Sequence, residues 1–181
     1  MASIGHVVVG LAAGRRFAAG EPAWLRTAMA CFGALSLLPD ADVIGLSWGV
    51  RYGAEWGHRG ATHSFVFAVA AGVLVALLAR PLRVPWGRTT LTAVLVLASH
   101  PLLDVLTDGG RGCALFWPFD LTRHFAPWRP LPVAPIGVHF FSARGLHVAL
   151  SELAWFAPLL VYALWPRRET SPPHPPAAAP R

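Results

Sequence analysis

Apolar residues gather into five runs, separated by polar or glycine- and proline-rich connections. The first, about residues 4–14 (IGHVVVGLAAG), is short, and Ser3 is placed to cap its start. The second, about 23–38 (AWLRTAMACFGALSLL), is stopped by Pro39. The third, about 63–79 (HSFVFAVAAGVLVALLA), has Thr62 before it as an N-cap. The fourth, about 89–108 (TTLTAVLVLASHPLLDVLTD), ends at Gly109-Gly110. The fifth, about 145–165 (GLHVALSELAWFAPLLVYALW), ends at Pro166. A membrane-spanning helix needs about 20 apolar residues. The fourth and fifth runs have that length, the second and third are marginal, and the first is too short alone. It would be re-entrant or packed within a bundle. The expected fold is all-α: a multi-pass membrane helical bundle of about five apolar helices over residues 1–166. The Pro/Ala-rich tail at 167–181 is expected to be disordered.

Composition agrees with a membrane class. Only 13% of the 181 residues are charged and 55% are hydrophobic, against roughly 25% charged in soluble domains. All fifteen basic residues are arginine, and the net charge is +6. The arginines fall between apolar runs, which is the habit of membrane proteins and not of a nucleic-acid binder with one basic face. The short connections carry Arg15, Arg16, Arg80, Arg83 and Arg88, and Arg167-Arg168 follow the last run. The positive-inside rule turns that side toward the cytoplasm. Trp48, Trp117 and Trp128 read as an aromatic belt at headgroup level. Cys31 and Cys113 have no zinc-knuckle or disulfide spacing. The stretch MASIGHVVVGLAAGRR lacks the basic start of a signal peptide.

The polar residues change the picture. Threading five helices up and down brings four segment ends to one side. They carry His6, then Asp40 and Asp42 (LLPDAD), then His58, Arg59 and His63 (HRGATHS), then His100 and Asp104 (SHPLLD). His100 and Asp104 share a helix face at spacing i, i+4. Ionisable groups at membrane depth are costly and mark function. Each piece alone has a plainer reading: an interfacial His6, a PDAD turn, a simple Thr62 cap, an intrahelical HxxxD hydrogen bond. Their convergence favours a divalent metal site of one or two ions, Zn being the first expectation and Mn or Fe the alternatives. Metal-assisted hydrolysis would then use Asp42 or Asp104 to accept a proton and Arg59 to clamp an anionic oxygen. Ser64 and Thr62 would donate to the same group or cap the helix. His124, in a loop with aromatics, reads as interfacial, His139 and His147 lack nearby carboxylate partners, Asp120 reads as a turn cap, and Glu152 is a carboxylate inside an apolar run.

The short N-terminal apolar run with its histidine, LLPDAD, HRGATHS, ASHPLLDVLTDGG and LFWPF together resemble the YdjM-like family. The resemblance runs from about residue 1 to 165. It implies a membrane-bound, metal-dependent hydrolase of the bacterial inner membrane. Its motif pattern is similar to zinc-dependent phospholipase C and P1-type nucleases, which implies a phosphoester or lipid-type substrate; membrane lipids are the expected partners, and the arginine placement already speaks against nucleic acid. Carried onto this chain, the implied metal positions are His6, Asp40, Asp42, His58, His63, His100 and Asp104. Two other classes stay open: a non-catalytic metal-binding sensor or carrier, and a haem-binding or proton-relay bundle.

Overall fold

In the computed structural model, residues 3–166 are described, and they form six α-helices with no strand. Helix α1 is Ser3–Phe17, α2 Leu25–Leu35, α3 Val43–Ser47, α4 Phe65–Leu78, α5 Trp86–Asp104 and α6 Ala143–Leu164. The tail at 167–181 lies outside the described residues, as do residues 1–2.

The first two helices pack by close backbone approach. A Cβ on Gly10 would stand 2.3 Å from the Phe32 carbonyl oxygen, and one on Gly14 would stand 2.5 Å from that of Ala28. This four-residue spacing of small residues is the device by which helices pack where lipid removes the hydrophobic drive between them. Helix α4 meets α5 in the same manner, burying only Ala68, Gly72 and Ala76. The apolar core among α1, α2 and α5 is correspondingly small: Ala18, Ala28, Phe32, Ala93 and Val96.

Large apolar side chains point outward instead. Val69, Leu74 and Leu78 on α4, Leu91 and Leu95 on α5, and Leu146, Leu150, Trp155, Val161 and Leu164 on α6 are all exposed. His6, His58, His63, His100, Asp40, Asp104, Glu152 and Arg59 are inside. A hydrocarbon surroundings accounts for apolar faces of that extent.

Five complete spans are not supported. Among the described helices, only α6 is long and apolar enough to cross a membrane alone. The segments Pro22–Leu35 and Pro39–Ser47 pass together, but with a bend of 41°. Helix α4 has 14 residues, about 21 Å of rise against a hydrocarbon core of about 30 Å.

Pro39 does not end the second segment as expected. Helix α2 stops at Leu35, and Pro39 opens a new 3-10 turn, Pro39–Asp42, that runs into α3. Proline is tolerated there because first-turn N–H groups have no intrahelical acceptor. The cap of α4 is Ser64, whose hydroxyl accepts from the Phe67 N–H at 3.0 Å, and not Thr62. Helix α5 ends at Asp104, four residues short of the expected boundary, with Pro101 inside it.

The long connection from Val105 to Ser142 folds back over one end of the bundle. Isolated bridges join Thr107 to Leu131 and Cys113 to His124. Ala114 N–H donates to the Arg59 carbonyl and Phe65 N–H to the Leu115 carbonyl, each at 3.0 Å. This connection forms one wall of the cluster described next.

Candidate metal centre

All the sequence-selected His and Asp residues meet at that end. Helix α1 supplies His6, the 3-10 turn after α2 supplies Asp40 and Asp42, and the segment before α4 supplies His58, Arg59 and His63. The last turn of α5 supplies His100 and Asp104. His6, His63, His100 and Asp104 are fully buried, and Asp40 is 7% exposed.

Two sets can be distinguished. In the first, Asp40, His63, His100 and Asp104 bring one donor atom each within 4.8 Å of the others. The Nε2 of His63 lies 3.5 Å from Asp40 Oδ1 and 3.4 Å from Asp104 Oδ2. The Nε2 of His100 lies 3.3 Å from Asp40 Oδ1 and 3.9 Å from Asp104 Oδ2. The His6 Nε2 stands on the other oxygen, 3.4 Å from Asp104 Oδ1, with its ring stacked on that of His100 at 3.7 Å. The second set is Asp42, His58 and His63.

Hydrogen bonds outside the first set fix the orientation of its imidazoles. His100 Nδ1 lies 2.7 Å from the Ser36 carbonyl, which can only accept, so Nδ1 carries the proton. Thr62 Oγ1 donates to Asp42 Oδ2 at 2.6 Å and lies 3.0 Å from His63 Nδ1. That hydroxyl has one proton to give, so His63 Nδ1 donates to it. Both imidazoles therefore have Nε2 directed at the carboxylates. An outer hydrogen bond at Nδ1 that sets the tautomer is how proteins prepare a metal-binding histidine.

The donor set fits a divalent cation. The Nε2 atoms of His63 and His100 and both oxygens of Asp40 are buried without an aligned hydrogen bond. Buried polar atoms are seldom left so. Bonds of about 2.0–2.2 Å from zinc to nitrogen or oxygen place tetrahedral ligands about 3.4 Å apart, the range of the shorter separations here. The second set differs, because its members bond to one another. Asp42 accepts from His58 Nδ1 at 2.7 Å and from the Arg59 N–H at 3.2 Å, besides Thr62. Those bonds account for Asp42 as an orienting carboxylate, so the geometry fits one ion rather than two.

Without an ion, the cluster holds a proton. Burial lowers the His63 pKa, but the carboxylates of Asp104, Asp40 and Asp42 outweigh it and lift the value to about 10.

Arg59 is fully buried and takes the left-handed backbone conformation, with φ of 65°. Its Nε lies 3.1 Å from Asp104 Oδ2, and Nη1 donates to the carbonyls of Gly109 and Asp104 at 3.1 and 3.4 Å. The guanidinium thus pins the last turn of α5; Nε is engaged through the ion pair, and Nη2 has no hydrogen-bond partner. Glu152, in α6, accepts from the N–H groups of Ile4 and Gly5 at 2.7 and 3.0 Å. It caps the first turn of α1 from another helix and so sets the position of His6.

Three participants, Ser36, Tyr52 and Arg123, were not selected from the sequence, and Thr62 has a role other than the cap or donor expected of it. The Ser36 carbonyl orients His100, and Thr62 relays between His63 and Asp42. Tyr52 packs edge-on against His58, and Arg123 donates to the His58 carbonyl at 3.0 Å. His124 pairs instead with Asp120 at 3.6 Å. A backbone carbonyl has no side-chain signature, so Ser36 could not have been found by spacing.

The family described as YdjM inner membrane protein matches residues 1–169, and the chain belongs to that family. The inner membrane protein YbcI of Escherichia coli (strain K12) is 42% identical over 139 residues, covering 74% of this chain and 80% of that protein. No solved structure matches.

Proposed function

We propose that this inner-membrane chain is a metal-dependent hydrolase acting on a phosphoester or lipid-type substrate. The observation that supports it is the buried set Asp40, His63, His100 and Asp104, whose two imidazoles already direct Nε2 at the carboxylates. Those residues would hold the ion, with His6 beside Asp104. A bound divalent cation supplies Lewis acidity and brings the pKa of water toward neutrality. Asp42 orients His58 and His63, and the His58–Asp42 pair is placed to take up the proton that hydrolysis releases. Arg59 holds Asp104 and keeps Nη2 available for a charged substrate oxygen.

Burial favours a second reading. With His63, His100 and Asp104 closed to solvent, a four-coordinate ion would be saturated by protein, as in structural sites. The chain would then be a metal-binding membrane protein without turnover. Elemental analysis of the detergent-purified protein tests the common premise, and hydrolysis of phospholipid and phosphodiester substrates separates the two. Bound metal with metal-dependent turnover supports the hydrolase. Stoichiometric metal that resists chelators, with no turnover across those substrates, supports the closed site.

A further inference from the structure

A second polar hollow adjoins the cluster, and the chemistry described so far does not use it. It has a volume of about 400 Å³ and is lined by Arg51, Tyr52, Gly53, Ala54 and Arg111. Two arginines face it, and no carboxylate lines it. Neither Arg51 nor Arg111 has an ion-pair partner among the described residues. The nearby acids are engaged elsewhere: Glu55 accepts from the Trp117 indole N–H, and Asp108 from the Val133 N–H at 2.8 Å.

The placement of Arg111 is built into the backbone. It stands between Gly110 and Gly112, with φ of 87° and 74°, values that favour glycine. Its guanidinium lies so close over Gly53 that a Cβ there would stand 2.6 Å from Nη1. Tyr52 is the partition between the hollow and the cluster. It lines the hollow, its ring meets His58 edge-on at 5.2 Å, and its hydroxyl shares the space over Gly110 with the Arg59 guanidinium.

We propose that Arg51 and Arg111 form an anion-recognition site for a phosphate group, next to the His/Asp cluster. Two planar forks without carboxylate partners, around a polar hollow, match the oxygens of a phosphate. The role of this site as a substrate subsite rests on the hydrolase reading above. A lipid headgroup and a soluble phosphomonoester share that chemistry. Trp48 and Trp56, both exposed on the same connection, would bring the hollow to headgroup level.

The test titrates inorganic phosphate into the full-length protein in detergent, before and after chelation, and measures metal content in parallel. Arg51→Ala, Arg111→Ala, Arg111→Lys and Gly53→Ala are compared with the unaltered chain. Saturable binding that survives chelation and weakens about tenfold or more in either alanine variant supports the site, that being the loss of a charge-assisted contact. Gly53→Ala is expected to weaken it with both arginines present, and Arg111→Lys to recover only part. Phosphatidylglycerol in mixed micelles then identifies the source: competition with phosphate indicates a headgroup, and its absence a soluble phosphate. Phosphate binding unaltered by these substitutions, or lost on chelation, or not detectable, would overturn the proposal. Metal without anion binding overturns this inference alone, whereas anion binding in a chain that takes up no metal overturns the hydrolase reading and its substrate role while the anion site stands.

Discussion

Arg59 and Asp104 form a fully buried ion pair, Nε to Oδ2 at 3.1 Å, with the same guanidinium holding the Asp104 and Gly109 carbonyls. Removing the guanidinium takes a buried charge and its fork away from the Asp104 carboxylate and from two carbonyls. Arg59→Ala is therefore expected to destabilise the protein by about 3–5 kcal/mol, read as a lowered unfolding midpoint in detergent. Arg59→Lys keeps the charge but loses the fork, so it should recover only part. A midpoint unchanged in Arg59→Ala would show that the pair carries no stability.

The two sets of donors should separate by substitution. His63→Ala and Asp104→Ala remove donors of the first set, and elemental analysis is expected to find the metal lost. Asp42→Asn leaves that set intact while disturbing the outer hydrogen bonds, so metal should still bind, about 10–100-fold more weakly. Equal loss in all three would instead make Asp42 a direct ligand.

Proton release provides a measurement independent of turnover. With its pKa lifted from 6.5 to about 10, His63 carries a proton in the metal-free protein at pH 8. Metal uptake must displace it. Titrations in buffers of different ionisation enthalpy should show that proton, and metal affinity should rise with pH up to about 10. Stability follows the opposite sign in the metal-free chain. The raised pKa gives a contribution fully present below pH 6.5, which is lost as pH rises through about 10. No dependence of the unfolding midpoint on pH across that window would count against the assignment.

Glu152 is expected to act on His6 through the backbone. Glu152→Ala leaves the N–H groups of Ile4 and Gly5 without their acceptor, at about 1–3 kcal/mol. Glu152→Gln retains an acceptor oxygen and should lose less. Amide hydrogen exchange in the first turn of α1 should rise in Glu152→Ala, and metal affinity should fall. Unchanged exchange there would remove the positioning role.

Much of the site was legible because its donors are side chains at the ends of apolar runs. His6, Asp40, Asp42, His58, His63, His100 and Asp104 lie together in the structure. Their division into inner and outer sets was not legible, because it depends on which Nδ1 finds a Thr62 hydroxyl or a Ser36 carbonyl. Helix type followed from long apolar runs, but span number did not. Hydropathy does not reveal that α2 breaks at Leu35 or that Pro39 restarts the chain as a 3-10 turn. The place of Arg59 beside histidines suggests an anion clamp but not its buried ion pair. Its engagement with Asp104 depends on a left-handed backbone that no local motif announces.

The cap that Glu152 places on α1 has a bearing on how the protein is made. His6 is translated well before its anchor, since the carboxylate that holds its helix is 147 residues behind Gly5. The first turn of α1, and with it His6, is therefore anchored only after α6 has been translated and inserted. The placement of His6 thus belongs to the final stage of biogenesis, and a chain truncated before residue 152 would reach the membrane with that histidine unsecured.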